Sequence, residues 1–211
     1  FKAKVLKEVL EADAFLPGSS HDFGKDVIPR MVENQRAVYV FNFQDENKKD
    51  AKYWRDVGTL DSYWEANMDL VSVDPHFNLY DRKWPMRTHV PSLPPAKFVF
   101  ADPGVRFGAA VDSIVSPGCI VSGSLVDHCV LGPEVRINSY SEVHESILFD
   151  RVVVGRKSRI RRAIIEKDVV VPEKTVLGYN LQEDARYFRV TEGGIVVVES
   201  TEKLLAHQQK I

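Results

Sequence analysis

Trp54-Arg55-Asp56-Val57-Gly58-Thr59 is the stretch best equipped for chemistry. A carboxylate stands just ahead of a tight glycine turn, and Thr59 is a credible N-cap for a helix that carries Asp61 in its first turn. Held in that way, Asp56 is suited to ligating a divalent cation or accepting from a sugar hydroxyl. Trp54 offers a flat apolar surface of the kind that packs on a sugar face. A plainer reading has Asp56 closing the turn and Trp54 filling core. A second concentration is Arg151, Arg156, Lys157, Arg159, Arg161, Arg162 and Lys167, basic residues with only Glu166 against them. They form either a solvated face that blunts sheet edges or a patch that gathers an anion.

The elements that must position these groups are of two kinds. Counting in sixes from Cys119 lands on Leu125, Leu131, Ile137, Val143 and Phe149; one slip gives Val154 and Ile160, and a second gives Ile165, Val171 and Leu177. The residues two before each hit are small or β-branched with few exceptions, and neither column holds a charge. Helices repeat at three to four and half-buried strands at two, so a sustained six predicts a hexapeptide β-helix, about three and a half coils over 117–178. Gly132, Gly155 and Gly178 follow apolar hits at positions where a corner tolerates little bulk. Cys119 and Cys129 fall in the buried columns as small apolar residues, which argues against a disulfide or a metal.

Ahead of the repeat the signals are α/β. Residues 2–13 predict an amphipathic helix with Leu6, Val9 and Leu10 on one face, and 17–20 a turn. Val27-Ile28-Pro29 reads as a short apolar turn, 37–43 as a strand and 44–51 as a solvated loop. Leu60, Tyr63, Trp64 and Leu70 form the inward face of the helix after Thr59. Residues 75–95, rich in proline and aromatics, suit an extended linker over two domains. Beyond the repeat, 183–186 predicts a helical turn, 194–198 a strand and 201–207 a helix that caps the open end of the prism.

The chain has 211 residues, 44% of them hydrophobic and 27% charged, enough to bury a core in one domain or two. A formal charge of −2 gives no global reason to expect nucleic acid or an anionic membrane as partner. With no long apolar run and no signal-like start, the expected location is cytoplasmic. Phe1 leads straight into a helical pattern, as if a preceding strand had been cut off, and a fragment is expected.

Several longer strings carry a family resemblance. Ser20 to Pro29 (SHDFGKDVIP), Tyr53 to Trp64 (YWRDVGTLDSYW), Tyr80 to Pro85 (YDRKWP) and Leu93 to Phe98 (LPPAKF) resemble, in the right order, the bacterial ADP-glucose pyrophosphorylases, or glucose-1-phosphate adenylyltransferases. The resemblance covers essentially the whole chain. It implies a remnant of an α/β nucleotidyltransferase catalytic domain over 1–74, a linker over 75–95, and a left-handed parallel β-helix with a C-terminal cap over 96–211. It further implies a Mg²⁺-dependent reaction of ATP with α-glucose 1-phosphate, giving ADP-glucose and pyrophosphate for glycogen synthesis.

On this resemblance Asp22, Phe23, Trp54 and Asp56 line the glucose 1-phosphate pocket. Asp56 is the later of two metal-binding aspartates, and a single carboxylate is a poor Mg²⁺ site. The family's glycine-rich ATP loop, its first metal aspartate and its Glu-Lys-Pro segment have no counterpart here, so the chain alone is expected not to turn over. A phosphorylated effector is expected near Lys167, with Arg159, Arg161 and Arg162 beside it; Lys167 stands where relatives carry arginine, which changes the geometry of recognition. A homotetramer is the implied assembly. Two other readings are a non-catalytic regulatory or assembly subunit and a hexapeptide acyltransferase. His128 and His144 lie on the repeat, but without the long inserted loop that such acyltransferases use they read as structural or solvent-facing.

Overall fold

The computed structural model describes residues 1–41, 53–83, 85–89 and 91–208. The chain forms two compact units, Phe1–Lys52 and Tyr53–Ile211. In the first, helix α1 (Ala3–Ala14) is followed by a π-type turn, Phe23–Val27, that runs directly into helix α2 (Ile28–Glu33). The apolar turn expected at Val27-Ile28-Pro29 is therefore helical. Proline is tolerated there because it sits in the first turn, where its missing N–H would have no intrahelical partner. The inward face of α1 is also rotated from expectation: Val5, Leu6 and Val9 are half-buried, Leu10 is exposed, and Asp13 is the buried residue. Leu6, Val9 and Asp13 follow the three-and-four spacing that aligns one helical stripe. Residues 37–41 form no strand, and Tyr39, Val40 and Phe41 are largely exposed, because no described strand lies alongside to take their hydrogen bonds. The rest of that expected strand and the loop at 44–51 lie outside the described residues.

In the second unit the first element is helix α3 (Leu60–Leu70), capped as the sequence foretells by Thr59, whose hydroxyl accepts from Ser62 N–H at 3.1 Å. Among the described residues of 75–95 there is neither helix nor strand. A parallel β-helix follows. One face stacks β1 (Lys97–Val99), β4 (Ile120–Ser122), β7 (Arg136–Ile137), β10 (Val153–Val154) and β13 (Val170–Val171). The next stacks β2 (Ala109–Val111), β5 (Leu125–Asp127), β8 (Glu142–His144), β11 (Arg159–Arg161) and β14 (Val176–Leu177). The third stacks β3 (Ile114–Val115), β6 (Val130–Leu131), β9 (Ile147–Leu148) and β12 (Ala163–Ile165), and is closed by β16 (Val196–Val198), which pairs antiparallel with β15 (Arg189–Val190). The first coil, 97–115, precedes the hexapeptide register read from the sequence, since residues 100–108 interrupt the period there.

Register pairs define the buried columns. Val121, Ile137, Val154 and Val171 stack on one face; Val126, Val143, Ile160 and Leu177 on the next; Leu131, Leu148 and Ile165 on the third, all fully or almost fully buried. Each such side chain contributes about 1.5–3 kcal/mol relative to exposure. The sixfold count misplaced three of them: Val121, Val126 and Leu148 stack in the columns where it put Cys119, Leu125 and Phe149, and of those Cys119 is buried two residues earlier while Leu125 and Phe149 are only half-buried. Aligned residues on the later coils are seventeen apart, two hexads and one pentad, so a count that postpones the pentad drifts by one residue. Beside these columns runs a ladder of buried serines. Ser124 Oγ–H donates to Asn138 O (2.7 Å), Ser141 Oγ–H to Gly155 O (2.8 Å) and Ser158 Oγ–H to Pro172 O (3.0 Å), while Ser141 N–H and Ser158 N–H donate to the serine hydroxyl one coil earlier. Corner backbone groups that the sheets leave unpaired are thereby satisfied. A Cβ at Gly155 would meet Glu173 N at 2.5 Å, which accounts for glycine there.

Helix α4 (Leu181–Asp184) leads to the closing helix α5 (Thr201–Gln208), whose Leu204 is fully buried in the β-helix core and whose Thr201 Oγ1 accepts from Val170 N–H at 2.9 Å. Among the described residues no helix is long and apolar enough to cross a membrane.

Candidate functional site

In the first unit, the loop between α1 and the π-type turn carries Asp22 and Phe23. Asp22 N-caps that turn: its Oδ1 accepts from Gly24 N–H at 2.7 Å and Lys25 N–H at 2.8 Å. Its other carboxylate oxygen has no hydrogen-bond partner among the described residues. Phe23 is 42% exposed, edge-on to the Phe1 ring at 5.8 Å. Asp26 braces the loop from below, accepting from Ser20 N–H and Asp22 N–H, both at 3.2 Å, and from Ser20 Oγ–H. That hydroxyl is the main reason the Asp26 carboxyl lies below its ordinary range.

Trp54 and Asp56 belong to the second unit. Trp54 is 77% exposed, so it does not fill core. Asp56 does close the turn, with Oδ1 accepting from Gly58 N–H at 2.9 Å, and this leaves its second oxygen for another partner. Helix α3, which starts at the end of this motif, is rooted on the β-helix. Leu60, Tyr63, Trp64 and Met68 pack on Ile147, Ile164 and Ile195. Trp64 Nε1–H donates to Glu145 O at 2.8 Å, and the Arg162 guanidinium lies 4.4 Å above the Trp64 ring. Asp61 Oδ1 accepts from Thr191 Oγ1–H at 2.7 Å and Gly193 N–H at 3.1 Å. The groove between the start of α3 and the 189–195 hairpin encloses about 840 Å³ and includes Thr59, Asp61, Arg162, Arg189 and Gly193 in its lining. An exposed indole beside a carboxylate with one oxygen to spare can cover a sugar face and accept from its hydroxyls.

Most of the basic residues are paired by charges from neighbouring coils, which the sequence count did not see. Arg151 Nε and NH2 meet Asp168 at 2.6 and 3.0 Å, and this contact lowers the Asp168 carboxyl and raises the Arg151 guanidinium. Arg159 lies 3.7 Å from Glu142 and 4.5 Å over the Tyr179 ring. Arg161 and Arg162 each lie 3.6 Å from Glu145, and Arg162 also donates to Gly193 O. Among the described residues, the side chains of Arg156, Lys157 and Lys167 make no ion pair. The missed signal is the seventeen-residue spacing of Arg151 with Asp168, Arg159 with Glu142, and Arg162 with Glu145.

His128 and His144 share one carboxylate. Asp127 faces His128 Nδ1 at 2.7 Å and His144 Nδ1 at 3.3 Å, and Asp112 lies 3.9 Å from His128 Nε2. The Asp127 contact raises the His128 imidazole above its ordinary value; partial burial pulls Asp127 the other way, yet the two imidazoles hold it low. Burial pushes the Cys129 thiol up to about 12, so it is an inert core residue.

Among the described residues no group of three or more His, Cys, Asp or Glu is arranged to hold a metal. Asp56 offers one free carboxylate oxygen, a single ligand where Mg²⁺ takes six.

Two protein families match the chain in succession: Nucleotidyl transferase over residues 1–73 and GlmU-like, C-terminal hexapeptide over residues 94–198. Glucose-1-phosphate adenylyltransferase of Koribacter versatilis (strain Ellin345) is 59% identical over 198 residues, covering 94% of this chain and 47% of the relative. The chain is a homologue of the glucose-1-phosphate adenylyltransferases. The enzyme of Rhodopirellula baltica is 54% identical over 207 residues (97% of this chain, 46% of the relative), and that of an Anaeromyxobacter species 48% over 204 (94% and 49%). The chain thus spans about half the length of the glucose-1-phosphate adenylyltransferases it matches, and the β-helix with its hexapeptide repeat agrees with the second family match.

Proposed function

We propose that this chain is part of a glucose-1-phosphate adenylyltransferase, which joins ATP and α-glucose 1-phosphate to give ADP-glucose and pyrophosphate for glycogen synthesis in the cytoplasm. The observation that carries the reading is the identity of 59% over nearly the whole chain, joined to a motif whose Trp54 and Asp56 are exposed rather than consumed in core. In this reading the sugar-phosphate oxygen attacks the α-phosphorus in line, and the chain's share of catalysis is positioning. Asp22 with Phe23, and separately Asp56 with Trp54, each offer glucose 1-phosphate a carboxylate oxygen left over from a turn and an exposed aromatic ring. Asp56 would also supply one oxygen toward a Mg²⁺ ion, whose further carboxylate would come from elsewhere in the enzyme. A phosphorylated effector is gathered by Lys167 with Arg159, Arg161 and Arg162, and the enzyme works as a homotetramer. Without the ATP-binding part the chain does not turn over.

The test pairs intact-mass analysis with an assay of pyrophosphate release from ATP and glucose 1-phosphate. Activity is expected only when a second polypeptide or a longer chain is present, and Asp56→Ala then abolishes it. Turnover by a preparation that contains nothing but the 23.9 kDa chain would overturn the reading.

A further inference from the structure

Asp13 is 3% exposed at the last turn of α1, and every feature of its position makes a carboxylate there expensive. It is buried, and it stands at the helix end where the backbone dipole disfavours negative charge. Val27 and Met31 line the same small cavity, so a leucine or methionine would serve packing better. What the carboxylate does instead is collect three donors from three places. Oδ1 accepts from Ser19 Oγ–H and from Arg30 NH1–H, both at 2.8 Å, and Oδ2 lies 2.8 Å from His21 Nδ1. The imidazole contact is the main cause of the lowered Asp13 carboxyl. Ser19 Oγ in turn accepts from His21 N–H at 3.0 Å. His21 is thereby held by both its backbone and its ring, in a left-handed conformation at φ 59 that a non-glycine residue adopts only at some cost.

We propose that Asp13 is a positioning residue of the sugar-phosphate site. By fixing His21 it fixes the direction from which Asp22 enters its turn. The inference rests on the reading of Asp22 as a glucose 1-phosphate ligand. Asp13 and Asp26 act as two pegs on successive residues: the first holds Ser19 and His21, the second Ser20 and Asp22. Between them they brace the residues on either side of His21, and Asp22 Oδ1 accepts from Gly24 N–H and Lys25 N–H.

The experiment is NMR on this chain, observing the His21 imidazole nitrogens and the Gly24 and Lys25 amides, with glucose 1-phosphate as the titrant. In the wild type the His21 Nδ1 resonance reports its contact with Asp13, and the titrant shifts the resonances of residues 22–25. Asp13→Asn weakens that contact, speeds Gly24 and Lys25 amide exchange by about tenfold or more, and weakens the titration by a similar factor, with the α1 amides still protected. Asp13→Leu preserves packing if the polar exchange perturbs the fold, and the same loss of the imidazole and amide signatures is expected of it. A leucine variant that retains the wild-type amide exchange at Gly24 and Lys25 overturns the proposal. A wild-type chain that shows no response to glucose 1-phosphate overturns the sugar-site reading instead, and the loop signature still decides the role of Asp13.

Discussion

Gly193→Ala separates the anchoring of α3 from everything else that holds the second unit together. Gly193 has an ordinary backbone conformation, so alanine strains nothing locally, but its Cβ would lie 2.2 Å from Asp61 Oδ1. The carboxylate must swing away, and it then gives up the hydrogen bonds from Thr191 Oγ1–H (2.7 Å) and Gly193 N–H (3.1 Å). Bonds to a charged acceptor are worth about 1.5–3 kcal/mol each, and partial exposure at the groove discounts them, so the expected loss is about 2 kcal/mol in total. In a unit of this size that corresponds to a fall in Tm of about 4–8 °C. Asp61→Ala removes the same two bonds without a clash. Denaturant unfolding of the wild type, both single variants and the double variant closes a cycle: Gly193→Ala should cost about 2 kcal/mol alone and nearly nothing once Asp61 is alanine. Additive losses would refute the idea that the glycine is needed to admit the Asp61 carboxylate. In a preparation that turns over, both variants should also raise KM for glucose 1-phosphate more than they lower kcat, because the helix they loosen begins where the Trp54–Asp56 motif ends.

The remaining expectations are quicker to check. Leu148→Ala should cost about 2–5 kcal/mol by urea denaturation and Phe149→Ala clearly less, the reverse of what a strict sixfold register requires. Ser141→Ala orphans the buried Ser158 N–H and should cost about 1–3 kcal/mol, measured the same way. His128 has its folded pKa raised by Asp127, with Asp112 and Glu145 adding to the effect, so its contribution to stability is fully present below the unfolded value of about 6.5 and is lost as pH rises through the higher folded value. The Tm difference between wild type and His128→Ala should therefore be largest at about pH 6 and shrink toward pH 8–9.

The β-helix was legible because burial repeats. A column of apolar residues at fixed spacing is a property of composition along the chain, and Ile137, Val143, Val154, Ile160, Ile165, Val171 and Leu177 all point where the spacing places them. The position of each pentad was not legible, because Leu125 beside Val126 and Leu148 beside Phe149 are equally apolar, and only the stacking of one coil on the next chooses between them. The cap of α3 was legible for the opposite reason: Thr59 and Ser62 are local partners. Asp61 with Thr191 and Gly193 was out of reach, being a contact across more than a hundred residues with no periodic signature. The same holds on a smaller scale in the first unit. The string Ser20 to Pro29 carried the family resemblance, but nothing in it reveals that the peg for His21 is Asp13, which reads as one more residue of an amphipathic helix.

The geometry of the coil also decides how much anion chemistry the basic run can do. Counted along the chain, the seven cations have one opposing carboxylate; counted along the prism, Glu142, Glu145 and Asp168 lie a single coil away. Arg162 is the extreme case, since it faces Glu145, donates to Gly193 O and covers Trp64, so its guanidinium is occupied in holding α3. An effector phosphate would have to displace those contacts to use it, and displacing them loosens the helix that follows Trp54 and Asp56. Lys167 has no such duty, and Arg159 and Arg161 are held by exposed pairs at 3.6–3.7 Å, which are worth little in water. An anion that draws on Lys167, Arg159 and Arg161 therefore binds at little structural cost, whereas one that recruits Arg162 trades directly against the seating of α3. That trade gives a physical route from the basic face to the Trp54–Asp56 turn, carried by the one arginine that touches both Glu145 and Trp64.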